Sequence, residues 1–400
     1  MVEERIMTVT EHGFQKLSQP GQVVPDTKRP SKSSRMYPQK DLRDSGGHLS
    51  PHMLPQPFLP VNGKGGEDLA GPYEVIEGWP KPIEEGWRMA SPSASVVFSA
   101  DEVVVTSHFG QSRERLTPLV WGRNVFQMEG SPMRTYGHLE KKPEHFVVTF
   151  DRNGALIDSW TRNDHMFGKV NRIFSDPNDP DRHLWISDSK RQKIFKFTRD
   201  GDLVMQIGEI EARSLPENPW KAEDIAWLPN GDFYTVGLAR IDRFNAAGEL
   251  QASLLSPGSG PGQFADLHGL ILDADRHRIL VADRGNSRIQ VFDDEWHFVE
   301  EWPNIYAPYA MRMQTSDGHV WVADGFTSKF LRYDVHGRLV TSWGQWGIAP
   351  GCTWGTHWFD VDEEGDLYIC EVYGERVQKL RRRPDVSPDD PRLIGRLHRY

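Results

Sequence analysis

Apolar and polar residues alternate along most of this chain in short runs, and the runs recur. Between Gly258 and Gln290 a Gly/Pro-rich stretch gives way to LHGLILDAD and RHRILVADR, two apolar runs separated by a charged turn. Arg288, Ile289 and Val291 then open a third. Short apolar runs bounded by turn-forming residues predict strand, turn and strand. Five gapless eleven-residue segments supply the next step: FDRNGALIDSW from Phe150, FTRDGDLVMQI from Phe197, FNAAGELQASL from Phe244, FDDEWHFVEEW from Phe292 and YDVHGRLVTSW from Tyr333. Each starts on an aromatic ring, crosses a polar turn and ends as an alternating strand that closes on a large apolar residue. Their starts lie 47, 47, 48 and 41 residues apart, the length of a four-stranded propeller blade.

A sixth inner unit, HWFDVDEEGDLYICEVYGERVQKL from His357, runs into RRRPDVSPDDP without a clean outer strand. The missing strand is expected at the other end of the propeller region, in PYEVIEGW from Pro72 to Trp79, which has the outer-strand alternation and the terminal Trp. Threading it into the last blade would close the ring and remove exposed edges. The C-terminal RLIGRLHRY is the alternative donor of that strand. The pattern therefore predicts an all-β fold, a six-bladed β-propeller over residues 72–400. Residues 1–71 are rich in Pro, Ser, Gly and Lys with few periodic apolar positions, so they cannot build a core. They are expected to form an extended, partly ordered N-terminal arm, with a homo-oligomer through that arm as a possible consequence. Residues 110–145 interrupt the first blade and read as a lid.

Composition narrows the function. A net charge of −10 argues against a nucleic-acid binder, which needs a positive surface. No apolar run approaches the length of a membrane span, so no membrane partner is expected. The N-terminus MVEERIMTVTEHG lacks the features of a signal peptide, and the expected location is cytoplasmic. The two cysteines, Cys352 and Cys370, are too few for a disulfide framework and are expected as thiols.

In a propeller the starts of the innermost strands converge at one channel mouth. Aligning the blades on their apolar cores places Asn171, Asp224, His268, Tyr309 and His357 in equivalent positions in blades two to six, with Ser93 in blade one. Two histidines so placed approach one axis, as ligands of a single borderline metal must. Each has an ordinary structural role open to it as well: a histidine can cap a strand, and Asp224 can bond the backbone of the next blade. Asp188, Asp283, Asp324 and Glu371 recur at the ends of second strands and read as turn clamps. Arg284 follows one of them and faces either a substrate anion or a salt-bridge partner. Lys190 lies two residues beyond Asp188 in blade two, and His108 ends the matching strand of blade one.

The blade from Gly258 resembles the NHL repeat, matching its G-x-G-x-F, H-G-(I/L)-x-x-D and V-A-D-x-x-N-x-R-(I/V) elements. Among NHL propellers it resembles the peptidyl-α-hydroxyglycine α-amidating lyases. The resemblance implies a central zinc, with His268 and His357 as two of its histidines and Arg284 as a catalytic arginine. Where that family has its remaining zinc histidine, this chain has Asn171; near the expected catalytic tyrosine it has Gly237; near the blade-one arginine it has His108. The resulting expectation is a metal-dependent lyase or hydrolase acting on a small-molecule substrate. Its metal would be zinc on His268 and His357 with His108 as a third ligand, or else calcium on oxygen ligands such as Asn171 and Asp224. His108, Asn171 and Arg284 would bind substrate, and Asp224 or Tyr309 would transfer a proton beside Arg284. The alternative is a non-catalytic NHL scaffold that binds a protein or small ligand.

Overall fold

The structure, a computed structural model, describes residues 6–10, 13–16, 70–84, 87–112, 144–208, 220–303 and 305–398. Most of the N-terminal arm and residues 113–143 of the expected lid lie outside the described residues. Six sheets stand around a central axis as a β-propeller, and within each the antiparallel strands run outward in chain order from the inner one, except where earlier segments of the chain add outer strands to the third and sixth. The inner strands are Pro92–Ser99, Val170–Ser175, Asp224–Trp227, Leu267–Asp273, Pro308–Met313 and Thr356–Val361. The third sheet is extended beyond Leu250–Leu255 by Ile6–Thr10 and Gly13–Lys16.

The eleven-residue repeat is the edge of each blade. Its opening aromatic ends the third strand, and Phe150, Phe197, Phe244, Phe292 and Tyr333 are all buried. Each such ring contributes roughly 1.5–3 kcal/mol by leaving water. Asp151 shows how the turn is built: its Oδ1 accepts from the N–H groups of Asn153 and Ala155, and Gly154 takes a left-handed φ of 78°. In blade four Trp296 occupies that position at φ 65° and packs against Phe292. The closing residues Trp160, Ile207, Leu254, Trp302 and Trp343 are buried between blades, whereas the strand starts such as Ile157, Val204 and Val340 face solvent.

Tyr73–Val75 completes the sixth blade by pairing antiparallel with Arg376–Arg382, Val75 opposite Leu380 and Tyr73 opposite Arg382. Trp79 then spans the seam, 4.9 Å from the ring of Tyr368 in blade six and 5.8 Å from Phe150 in blade one. The C-terminal segment that was the alternative donor, described as far as His398, lies elsewhere. Leu397 bridges to Gln314 at the far end of the blade-five inner strand, and His398 N–H donates to Met313. Among the described residues no helix is long and apolar enough to cross a membrane.

Candidate metal centre

A β-bulge sits at the second residue of five inner strands. The register skips between Pro92 and Ala94, Val170 and Arg172, Leu267 and Gly269, Pro308 and Ala310, and Thr356 and Trp358. A bulge inserts one unpaired residue and re-aims its side chain, here Ser93, Asn171, His268, Tyr309 and His357. In blade three the ladder starts with Asp224 opposite Val236, and the N–H of Glu223 donates to Val236. Glu223, not Asp224, therefore holds the ring position. Asp224 belongs to the ladder: its carboxylate accepts from Leu270 N–H of the next blade at 2.9 Å and lies 3.5 Å from Arg172. Burial, set against Arg172, pushes its carboxyl up to about 6.

Glu223, His268 and His357 meet at the axis, all buried, each offering one ligand atom within 4.8 Å of the others'. His268 Nδ1 faces its own neighbour's carbonyl, Leu267 O, at 3.1 Å, and His357 Nδ1 faces Ser93 O at 2.7 Å. A carbonyl only accepts, so both Nδ1 atoms carry the proton and both Nε2 lone pairs are left for the axis. His268 Nε2 is 3.6 Å from Glu223 Oε2, close to the ~3.3 Å expected between two ligands of one tetrahedral zinc. Burial first, then neighbouring cations, holds both histidines well below the usual imidazole range, so they are neutral. Burial alone would raise Glu223, but the Lys221 and Lys169 cations hold it well below the usual carboxylate range. Its oxygens contact the Lys221 ammonium and the Asn171 amide. Two neutral imidazoles and one carboxylate, each held from behind, form a donor set that suits a catalytic zinc with one open position.

The other expected residues take distinct places. Tyr309 stands beside both histidines, its ring 5.2 Å from His268 and 5.5 Å from His357, with its hydroxyl 3.4 Å from that of Tyr373. Arg284 is bound through Nε and Nη2 to Asp266 of its own blade, and its guanidinium lies 4.5 Å from the centre of the Tyr309 ring. Asn171 supports Glu223 through its amide. His108 packs edge-on against His357 at 5.2 Å rather than joining the three converging ligand atoms. Its Nδ1 contacts Ser91 Oγ, and among the described residues its buried Nε2 has no hydrogen-bond partner. Asp188, Asp283, Asp324 and Glu371 each accept backbone N–H groups from the loop that leads into the inner strand. They hold the ring in place without entering it. Beneath the ring, Arg172 and Arg312 lie 4.8 and 4.9 Å from the Trp358 ring and floor the site.

A family profile of the NHL repeat matches residues 264–292, the segment that carries His268 and Arg284. The chain carries an NHL repeat. The propeller is similar to NHL repeat-containing protein 3 of Homo sapiens, 26% identical over 254 residues, covering 58% of this chain and 72% of that protein. It is also similar to peptidyl-alpha-hydroxyglycine alpha-amidating lyase 1 of Drosophila melanogaster, 26% identical over 309 residues, covering 67% of this chain and 54% of that protein. Among solved structures it is similar in fold to a streptogramin B lyase, with 15% identity and a TM-score of 0.48 over 77% of this chain and 96% of that one.

Glu223, Lys169 and Lys221 at this propeller's mouth escaped the sequence reading. The two lysines stand two residues before their blades' ring residues, as Asp266 stands two before His268. That shared offset is a signal the sequence does contain.

Proposed function

We propose that this NHL propeller is a metal-dependent lyase or hydrolase acting on a small organic substrate at the channel mouth. The observation that supports it best is the convergence of Glu223, His268 and His357 on one point, with both Nδ1 positions facing carbonyls. Distant relatives that carry the name amidating lyase add a second line of support. When bound, a zinc ion would polarise a substrate oxygen or lower the pKa of a bound water.

The protein's own residues supply the rest. His268 and His357 present neutral nitrogens, and Glu223 presents an oxygen steadied by Lys221 and Asn171. Arg284 is fixed by Asp266 and stacks on Tyr309, so its guanidinium is held over the ring that flanks both histidines. That places a fixed cation beside developing negative charge on a substrate. Asp224, tied to Arg172 and to Leu270 N–H, orients the floor. Proton exchange falls to Tyr309, or to the open Nε2 of His108. The floor and the buried ring exclude water from below.

The test is calorimetric titration of zinc into chelator-treated protein, followed by turnover of ester, lactone, amide and carbinolamide probes by the loaded protein. Binding near one zinc per chain, lost in His268→Ala and in Glu223→Gln, with turnover of at least one probe class, is expected. Zinc binding without turnover of any probe would favour a non-catalytic scaffold. No zinc binding, with calcium taken up instead, would shift the site to its oxygen donors.

A further inference from the structure

The three imidazoles at the mouth are held from behind in two different ways. The Nδ1 atoms of His268 and His357 face carbonyls, so their hydrogens sit there. His108 Nδ1 instead faces a hydroxyl, Ser91 Oγ, at 3.1 Å. A hydroxyl donates or accepts, so the number of stranded groups decides between the two. Ser91 and His108 are each 1% exposed. Among the described residues Ser91 Oγ bonds only His108, and His108 Nε2 has no partner. A hydrogen on Nδ1 would strand the serine hydrogen and the Nε2 lone pair together. A serine that donates to Nδ1 leaves one stranded group, the Nε2–H. Each stranded group costs about 1–3 kcal/mol, which favours the second arrangement and puts the His108 hydrogen on Nε2.

The backbone is shaped around this contact. Ser91 sits at φ 65°, in the left-handed region that few residues other than glycine adopt. Its carbonyl accepts the N–H of His108 at 2.9 Å, so two bonds lock the serine to the histidine. The ring residue of the same blade is turned away. Thr106 Oγ1 donates to Ala94 O, and the Ser93 hydroxyl therefore donates to Thr106 Oγ1 at 3.1 Å. With the small Ser93 committed to its own blade, His108 stands 5.2 Å from His357 as the contribution of blade one to the mouth.

We infer that His108 is a catalytic hydrogen-bond donor: its Nε2–H, fixed by Ser91, meets the substrate oxygen on which negative charge develops beside the His268, His357 and Glu223 ring. A donor fixed in advance needs no reorganisation during the reaction, and an imidazole N–H serves this role without itself being charged. Substrate binding also satisfies the one polar group that the pair leaves stranded. A nitrogen that carries its hydrogen offers no lone pair to a metal or a proton, so His108 is neither a third ligand nor a base, and proton exchange is left to Tyr309. Ser91 is a positioning residue. The inference rests on the proposed function for the reacting centre, whereas the placement of the hydrogen stands on Ser91 and His108 alone.

Long-range proton–nitrogen correlation spectra of the protein labelled with nitrogen-15 histidine test it, with His108 assigned by the signals missing from His108→Gln. In metal-free protein His108 is expected to show a pyrrole-type Nε2 and a pyridine-type Nδ1, with His268 and His357 the reverse. Ser91→Ala should move the His108 Nδ1 signal toward that of an unbonded pyridine-type nitrogen. Zinc should shift the Nε2 signals of His268 and His357 and leave the His108 pattern in place. Acetohydroxamate, a probe with acceptor oxygens, should move the His108 Nε2–H resonance. His108→Phe should weaken the probe about tenfold on zinc-treated protein, and His108→Gln, which keeps an N–H, by less, with zinc affinity unchanged in both. A pyridine-type Nε2 on His108, a zinc affinity that falls in His108→Gln, or an Nε2–H resonance that the probe leaves unmoved in metal-free and zinc-treated protein alike would overturn the inference. Failure of the metal reading looks different: zinc would shift neither His268 nor His357, while the His108 hydrogen would remain on Nε2 and still respond to the probe.

Discussion

Tyr73 is where the closure of the ring can be tested most sharply. It opens the three-residue strand that completes blade six, it is buried, and its ring centre lies 5.5 Å from that of Trp343 in blade five. Its hydroxyl accepts the N–H of buried Ile394 at 2.7 Å. Tyr73→Phe removes that acceptor and leaves a buried amide unpaired, which costs about 1–3 kcal/mol. Tyr73→Ala adds truncation of a buried aromatic side chain, about 3–5 kcal/mol more. Total stabilities of natural domains are about 5–15 kcal/mol, so the second variant should sit near the edge of folding. Urea denaturation followed by tryptophan fluorescence and far-UV circular dichroism gives the readout. The expected result is a lower midpoint at unchanged slope, with both probes coincident, because the strand holds the whole ring. A Tyr73→Phe midpoint equal to that of the unaltered protein would refute the reasoning. So would an early, separate transition in Tyr73→Ala with the main midpoint preserved, since the ring would then be closing without this strand.

Further outcomes follow from single contacts. Asp324→Ala strands the N–H groups of Tyr306, Ala307 and Thr327 that its carboxylate now accepts; chemical denaturation should show a loss of about 2 kcal/mol or more, with Asp324→Asn in between. Gly355→Ala forces a side chain into a left-handed backbone of φ 69° and against Tyr373; it should cost about 1–2 kcal/mol from the backbone alone, read by chemical denaturation. Burial pushes the Cys370 thiol up to about 12 and raises that of Cys352. A thiol-specific chromogenic reagent at pH 8 should therefore find no reactive cysteine in the folded protein and both after denaturation.

The fold was legible because the repeat is a physical unit. An aromatic that plugs the space between blades, a polar turn and a half-buried edge strand must recur in each blade, so Phe150, Phe197, Phe244, Phe292 and Tyr333 align without gaps. The positions of His268, His357, Tyr309 and Asn171 followed from the same alignment. Blade three misled it. Glu223 and Asp224 are adjacent acids with no His-Gly pair to fix the register, and the bulge that separates an axis-facing residue from a ladder residue leaves no mark in the sequence. Arg284 was legible as a cation near the mouth, but its engagement with Asp266 depends on a loop conformation that spacing does not encode. The aromatic side of the mouth was hidden for a related reason: it needs a small residue, Gly355, whose meaning is the space it leaves for the ring of Tyr373 on another segment.

The central claim is that Glu223, His268 and His357 together hold one metal ion. Elemental analysis of the purified, untagged protein before and after dialysis against chelator, alongside the His268→Ala, His357→Ala double variant, tests it most directly. The account predicts about one zinc per chain, removed by chelator, restored on addition of zinc, and absent from a double variant whose far-UV circular dichroism is unchanged. A folded protein that takes up no metal, or a double variant that keeps its zinc, would contradict it.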